Sequence, residues 1–113
     1  MNPFLFNYYN MNEYNEQGKQ HGPWEEYYAN GNLMSKGNYL NGKTHGPWEE
    51  YWSNGKLWYK ANYLNGKRHG PRESYYPDDK LWSKENHLNG KLHGPLEWHG
   101  RNGNLDEIEY HIT

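Results

Sequence analysis

Tyr39-Leu40-Asn41-Gly42-Lys43-Thr44-His45-Gly46-Pro47-Trp48 decides the fold of this chain. Its Asn-Gly pair lies between aromatic-rich runs, the strongest short-range hairpin signal, because a type I′ turn needs positive φ at both central residues. The segment is not unique. Lys-x-His-Gly-Pro recurs at 19–23, 43–47, 67–71 and 91–95, always 24 residues apart. The same register carries Glu25, Glu49, Glu73 and Glu97, then Tyr27, Tyr51 and Tyr75, then Leu33, Leu57, Leu81 and Leu105. Further Asn-Gly pairs stand at 30–31, 54–55, 65–66, 89–90 and 102–103, with Asp78-Asp79 in the missing slot, so the turn steps alternate 11 and 13. Fixed-period self-similarity defines a repeat array. The expectation is an all-β protein: an elongated, single-layer antiparallel meander of β-hairpins, about two strands per 24 residues and about nine in all. One domain fills 1–113, with a half-repeat or cap over 1–17 and repeats at 18–41, 42–65, 66–89 and 90–113.

Composition narrows the function. Mean hydropathy is -1.43, yet six Trp, twelve Tyr and two Phe stand against ten Leu, two Ile and no Val. Rings, not aliphatic side chains, must do the burying, and so many rings exclude a plain disordered tail. A net charge of -2 with no basic run lacks the footprint of a nucleic-acid binder. Without Cys there is neither a disulfide frame nor a thiolate metal site. No apolar run reaches the 18 or so residues of a transmembrane span. Met1 to Asn10 has the apolar patch Phe4-Leu5-Phe6 but no basic lead or small-residue cleavage site, which does not read as a signal peptide. The expected compartment is the cytoplasm, or a host's if the gene is viral.

A four-residue loop over 29–32 would place Tyr28 opposite Leu33. Glu25 then faces Lys36, Glu49 faces Lys60 and Glu73 faces Lys84, each pair contributing up to about 1 kcal/mol. On the other side Trp24 falls opposite Gly37 and Trp48 opposite Ala61, a large ring shielding a small residue. In the third unit Arg72 and Glu85 replace that combination, and in the fourth Glu97 meets Ile108. Face one then carries Trp24, Tyr28, Tyr39, Trp48, Trp52, Tyr59, Tyr63 and Tyr76. Face two carries the Glu/Lys pairs with Tyr27, Tyr51, Tyr75, Trp58 and Trp82. Because Pro removes a ladder donor, each repeated Pro should open a strand, with Lys-x-His-Gly as the connecting turn.

Periodic His21, His45, His69 and His93 invite a metal site. Equivalent residues of successive units are two strands apart, about 9.5 Å, and cannot share an ion whose ligands lie about 2 Å from it. Holding turns by hydrogen bonds is the expected role. A C-terminal group, His93, His99 and His111, offers no better set. The Glu ladder repeats one environment, whereas catalytic carboxylates need unlike ones, and no nucleophile or phosphate-loop motif accompanies it. The expectation is therefore no enzyme, no cofactor and no metal. What remains is the ring-rich face one, since exposed apolar patches mark binding sites and Trp and Tyr dominate hot spots. The candidate binding residues are its eight rings, Trp24, Tyr28, Tyr39, Trp48, Trp52, Tyr59, Tyr63 and Tyr76, centred on the second repeat.

Asn-Gly-Lys-x-His-Gly, the following Trp-x-x-Tyr-Tyr/Trp and the Asn-Gly-Lys-Leu turn at 54–57 resemble MORN repeats, specifically the variant form of the YwqK-type antitoxin-like family. The resemblance covers roughly residues 14 to 111; it lacks Gly-x-Trp before the first turn and has Pro where His-Gly-x-Gly has its spacer. It implies an elongated twisted sheet of hairpins used as a scaffold or binding surface. The expected function is a non-catalytic module that binds, and by that resemblance neutralises, another protein. The alternatives are an aromatic-repeat ligand binder for carbohydrate or choline, or a membrane-surface phospholipid binder. The last lacks a basic stripe. Self-association through the uncharged N-terminal edge, Phe4 to Tyr9, is a further expectation.

Overall fold

Two kinds of turn, alternating along the chain, build the protein. In a computed structural model describing residues 11–111, Asn41 and Gly42 have φ of 51° and 84°. Asn65-Gly66 and Asn89-Gly90 repeat those values closely, the two-residue signature of a type I′ hairpin. The other turn is longer. Tyr28 N–H donates to the Asn32 carbonyl at 2.8 Å and Gly31 N–H to the Tyr28 carbonyl at 2.9 Å, and the arrangement recurs from Trp52, Tyr76 and Gly100. Asp79, with φ of 76°, takes the place filled by Gly31, Gly55 and Gly103 elsewhere; Asp is one of the few residues that tolerate that conformation.

Among the described residues twelve strands run between the turns: β1 (Glu13–Tyr14), β2 (Gln20–Tyr27), β3 (Leu33–Leu40), β4 (Lys43–Thr44), β5 (Gly46–Tyr51), β6 (Leu57–Leu64), β7 (Lys67–Arg68), β8 (Gly70–Tyr75), β9 (Leu81–Leu88), β10 (Lys91–Leu92), β11 (Gly94–His99) and β12 (Leu105–His111). They form one open antiparallel sheet in the order β1-β2-β3-β5-β6-β8-β9-β11-β12, while β4, β7 and β10 pair back on β3, β6 and β9. The all-β meander with a 24-residue period is thus as the sequence predicts. Each full repeat adds three strands instead of two. The reason lies in Lys-x-His-Gly, which is not the connecting turn. Lys43 and Thr44 pair with Leu40 and Tyr39, and the strand then breaks at His45-Gly46, where Gly46 has φ of 86°. Pro47 is consequently the second residue of β5, opposite Asn62. The expected edge strand, Phe4 to Tyr9, lies outside the described residues.

The register matches expectation through most of each hairpin. Glu25 faces Lys36, Trp24 faces Gly37, Trp48 faces Ala61, and Arg72 faces Glu85. At the loop end it slips by one. Tyr27, not Tyr28, lies opposite Leu33, because a β-bulge leaves Met34 unpaired. The same bulge falls at Trp58, Trp82 and Asp106. A bulge re-aims its side chain, with consequences at the site below. Principal extents of 49 × 35 × 24 Å describe an elongated sheet thickened by twist.

Repeats are joined by backbone as well as side chains. Gly42 N–H reaches back to the Gln20 carbonyl, Gly66 to Thr44 and Gly90 to Arg68, all at 2.8–2.9 Å. In the other direction Tyr28 Oη donates to the Tyr51 carbonyl at 2.6 Å, Trp52 Nε1 to Tyr75 at 3.1 Å, and Tyr76 Oη to His99 at 2.7 Å. Among the described residues no helix is long and apolar enough to cross a membrane.

Candidate functional site

Face two is electrostatically closed. Across the strands Glu25, Lys36, Glu49, Lys60, Glu73, Lys84 and Glu97 alternate in sign. The ion pairs that form bridge successive hairpins, Lys36 to Glu49 at 3.8 Å and Lys60 to Glu73 at 4.0 Å. Tyr27, Tyr51 and Tyr75 donate to Glu25, Glu49 and Glu73, two residues back along the same strand. Burial, and then that hydrogen bond, push the Tyr51 and Tyr75 phenols up to about 12. Every charge in the row but the terminal ones lies between two of opposite sign. Such a surface has little left to offer a charged partner.

Face one divides into two tracts. The first is a chain of edge-to-face rings, Tyr14–Trp24–Tyr39–Trp48, with centroids 5.3–5.5 Å apart. Trp24 and Trp48 are 6% and 9% exposed. The ring that covers Gly37 is not its strand partner Trp24. Trp48 of the next hairpin lies against it, and a Cβ built there would fall within that indole. Each Trp thus seals the joint between two repeats. This tract is what a single-layer sheet has for a core.

The second tract lies at the loop end. Here the bulge overturns the expected placing of Trp58 and Trp82 on face two. Trp58 stacks on Trp52 with centroids 4.8 Å apart, and Trp82 stacks on Tyr76 at 5.2 Å. Both then line a hollow together with face-one residues Arg72, Ser74, Ser83, Glu85 and Trp98. Beneath the rings runs a polar chain. Tyr59 donates to Glu50, the Arg72 guanidinium lies 4.5 Å over the Tyr59 ring, Arg72 bonds Glu85 at 2.5 Å, and Glu85 Oε2 lies 3.1 Å from His87 Nε2. Burial raises the Glu50 carboxyl above the usual range, while Arg72 opposes the shift.

The eight predicted rings therefore split by role. Trp24, Tyr39 and Trp48 belong to the buried tract. Tyr28, Trp52 and Tyr76 spend their polar atoms on the next repeat's backbone. Tyr59 stands in the open tract, and Tyr63 is half-buried opposite Gly46. Sequence reasoning did not place Trp58, Trp82 and Trp98 at the hollow.

The periodic histidines differ from one another. His21 and His69 accept long hydrogen bonds from Asn41 and Asn89 N–H at 3.4 and 3.5 Å, whereas His45 Nδ1 is buried with no partner among the described residues. In the described residues no three His, Asp or Glu side chains converge as metal ligands would.

A family model described as MORN repeat variant matches residues 20–41, 44–65 and 68–89. No curated protein matches the chain.

Proposed function

The chain belongs to the family of MORN repeat variants, and from that premise we propose that it is a protein-binding module working through the open tract of face one. MORN repeats are generally membrane- or protein-binding repeats and are not catalytic. Charge favours the protein. Face one carries Glu26, Glu50, Glu107 and Glu109 against two cations, Arg68 across from Tyr63 and Arg101 at 5.2 Å over the Tyr76 ring, plus the Arg72–Glu85 pair that neutralises itself. An anionic lipid surface would be repelled there. A basic protein surface would be drawn in, with the rings Trp58 and Trp82 as anchors and cation–π acceptors. The single observation that carries this reading is the net excess of acid on the ring-rich face, against full alternation on the other. Neutralising the partner, in the manner of an antitoxin, is the finer form of the proposal and rests on the resemblance to the YwqK-type family. The cytoplasm is the proposed compartment.

The test is affinity capture from the source cell, identification by mass spectrometry, and calorimetry with the purified partner. Trp58→Ala is expected to weaken binding by about 2 kcal/mol or more. Trp52 is a poorer probe because its indole also holds the Tyr75 carbonyl. Glu26→Gln with Glu107→Gln should flatten the salt dependence, and Glu49→Gln on face two should change nothing. Binding that survives Trp58→Ala but is lost in Glu49→Gln would assign the function to the opposite face.

A further inference from the structure

The third repeat breaks the pattern at four neighbouring positions, all on face one. Where the second repeat has Trp48, Glu50, Tyr59 and Ala61, the third has Arg72, Ser74, Ser83 and Glu85. In the second repeat Trp48 and Tyr59 fill the surface. In the third, two serines leave room, and the hollow between Trp58, Trp82 and Trp98 has a volume of about 240 Å³. We propose that this hollow is a binding site for one pyranose ring of a neutral glycan, a reading that goes beyond protein binding and does not depend on it.

Three indoles line the hollow, Trp58 and Trp82 each with one ring face already stacked on Trp52 and Tyr76, and apolar ring surface suits the C–H face of a sugar. The floor holds both kinds of polar partner. Glu85 can only accept, and Arg72 can only donate. Arg72 Nε is buried and bonds nothing among the described residues. Ser74 and Ser83, 4% and 6% exposed, bond to each other through one hydrogen. Two hydroxyls own two hydrogens, so one O–H remains to be satisfied. A simple anion would meet Glu85, and a simple cation would meet Arg72. A neutral molecule bearing several hydroxyls, each both donor and acceptor, satisfies all of them. The volume admits one such ring, and the open mouth lets the chain continue.

Tryptophan fluorescence and amide NMR on the full chain, titrated with methyl glucopyranosides and with oligomers of glucose and of N-acetylglucosamine, test the proposal. A saturable response is expected, about millimolar for a single ring. The indole N–H signals of Trp58, Trp82 and Trp98 should move while those of Trp24 and Trp48 stay. Trp82→Ala removes a ring that is 39% exposed, so the sheet should fold, and affinity should fall at least about tenfold. Tyr110→Ala, remote and 74% exposed, is the control that should change nothing. Absence of saturation with every sugar overturns the proposal. So does a response confined to Trp24 and Trp48, or tighter binding of tetramethylammonium, inorganic phosphate or adenosine at the same three indoles. The NMR map on the unaltered chain decides the matter even if Trp82→Ala does not fold.

Discussion

Gly37 and Gly46 show how one residue type serves two unrelated needs. Gly46 is a glycine for its backbone: φ is 86°, and an added Cβ would meet nothing within 4 Å. Gly37 is a glycine for its neighbour, because Trp48 occupies the space a side chain would take. Gly37→Ala should accordingly cost about 1–3 kcal/mol by overpacking, measured by urea unfolding, and pairing it with Trp48→Leu should recover part of the loss. If the double variant is simply the sum of the two singles, the ring does not press on that glycine. The phenols give a second test. Tyr51 and Tyr75 hold their protons to about 12, whereas an unfolded Tyr releases its own near 10. A raised folded value means the folded state binds more protons in that window. Their contribution to stability is complete below pH 10 and declines as pH rises from 10 toward 12. The ultraviolet titration of wild type minus Tyr51→Phe/Tyr75→Phe should place the missing phenolate signal near pH 12; a midpoint of 10 would show that the carboxylates do not hold these hydroxyls.

The hairpin is the element in which sequence reading went furthest and then stopped. Asn-Gly spacing, with Asp78-Asp79 in its slot, located the turns from Asn30 onward but not the one over Asn15–Lys19, and sign alternation set the Glu/Lys register, because both are short-range rules between adjacent strands. The bulges at Met34, Trp58 and Trp82 stayed hidden. A four-residue turn without a bulge and a five-residue turn with one bulge use the same number of residues, and only hydrogen-bond geometry separates them. The face of two tryptophans depended on that choice, and with it the hollow. Exposure was equally illegible for Trp24 and Trp48: strand alternation gives a face, but not whether the next repeat will cover it. The kink at His45-Gly46 is the element's weak joint. Gly46→Ala should cost about 1–2 kcal/mol with no change of contact, read as a lower unfolding midpoint. An alanine accepted without loss would mean the strand can run straight. Glu49→Gln, by comparison, should alter stability by a few tenths of a kcal/mol, as exposed pairs do.

At the scale of the whole molecule, each repeat touches only its neighbours, so stability should be distributed as in other arrays built by stacking. Amide exchange should be slowest in β3, β5, β6, β8 and β9, which have a hairpin on both sides, and fastest in β1 and β12, the outermost of the described strands. Uniform protection from β1 to β12 would indicate a single all-or-none unit instead. The joints that transmit this stability have a direction: turn amides of Gly42, Gly66 and Gly90 bond backward, and Tyr28, Trp52 and Tyr76 bond forward. Every joint thus presents the same two halves. Excising 42–65 would bring Gly66 to the carbonyl that Gly42 now uses, and Tyr28 to that of Tyr75, with Arg72 arriving over Gly37 where Trp48 had been and Ser74 opposite Ser35 in place of Glu50. A gene for such a chain can gain or lose 24 codons and still encode matching ends, so copy number is a heritable variable that selection can adjust one module at a time.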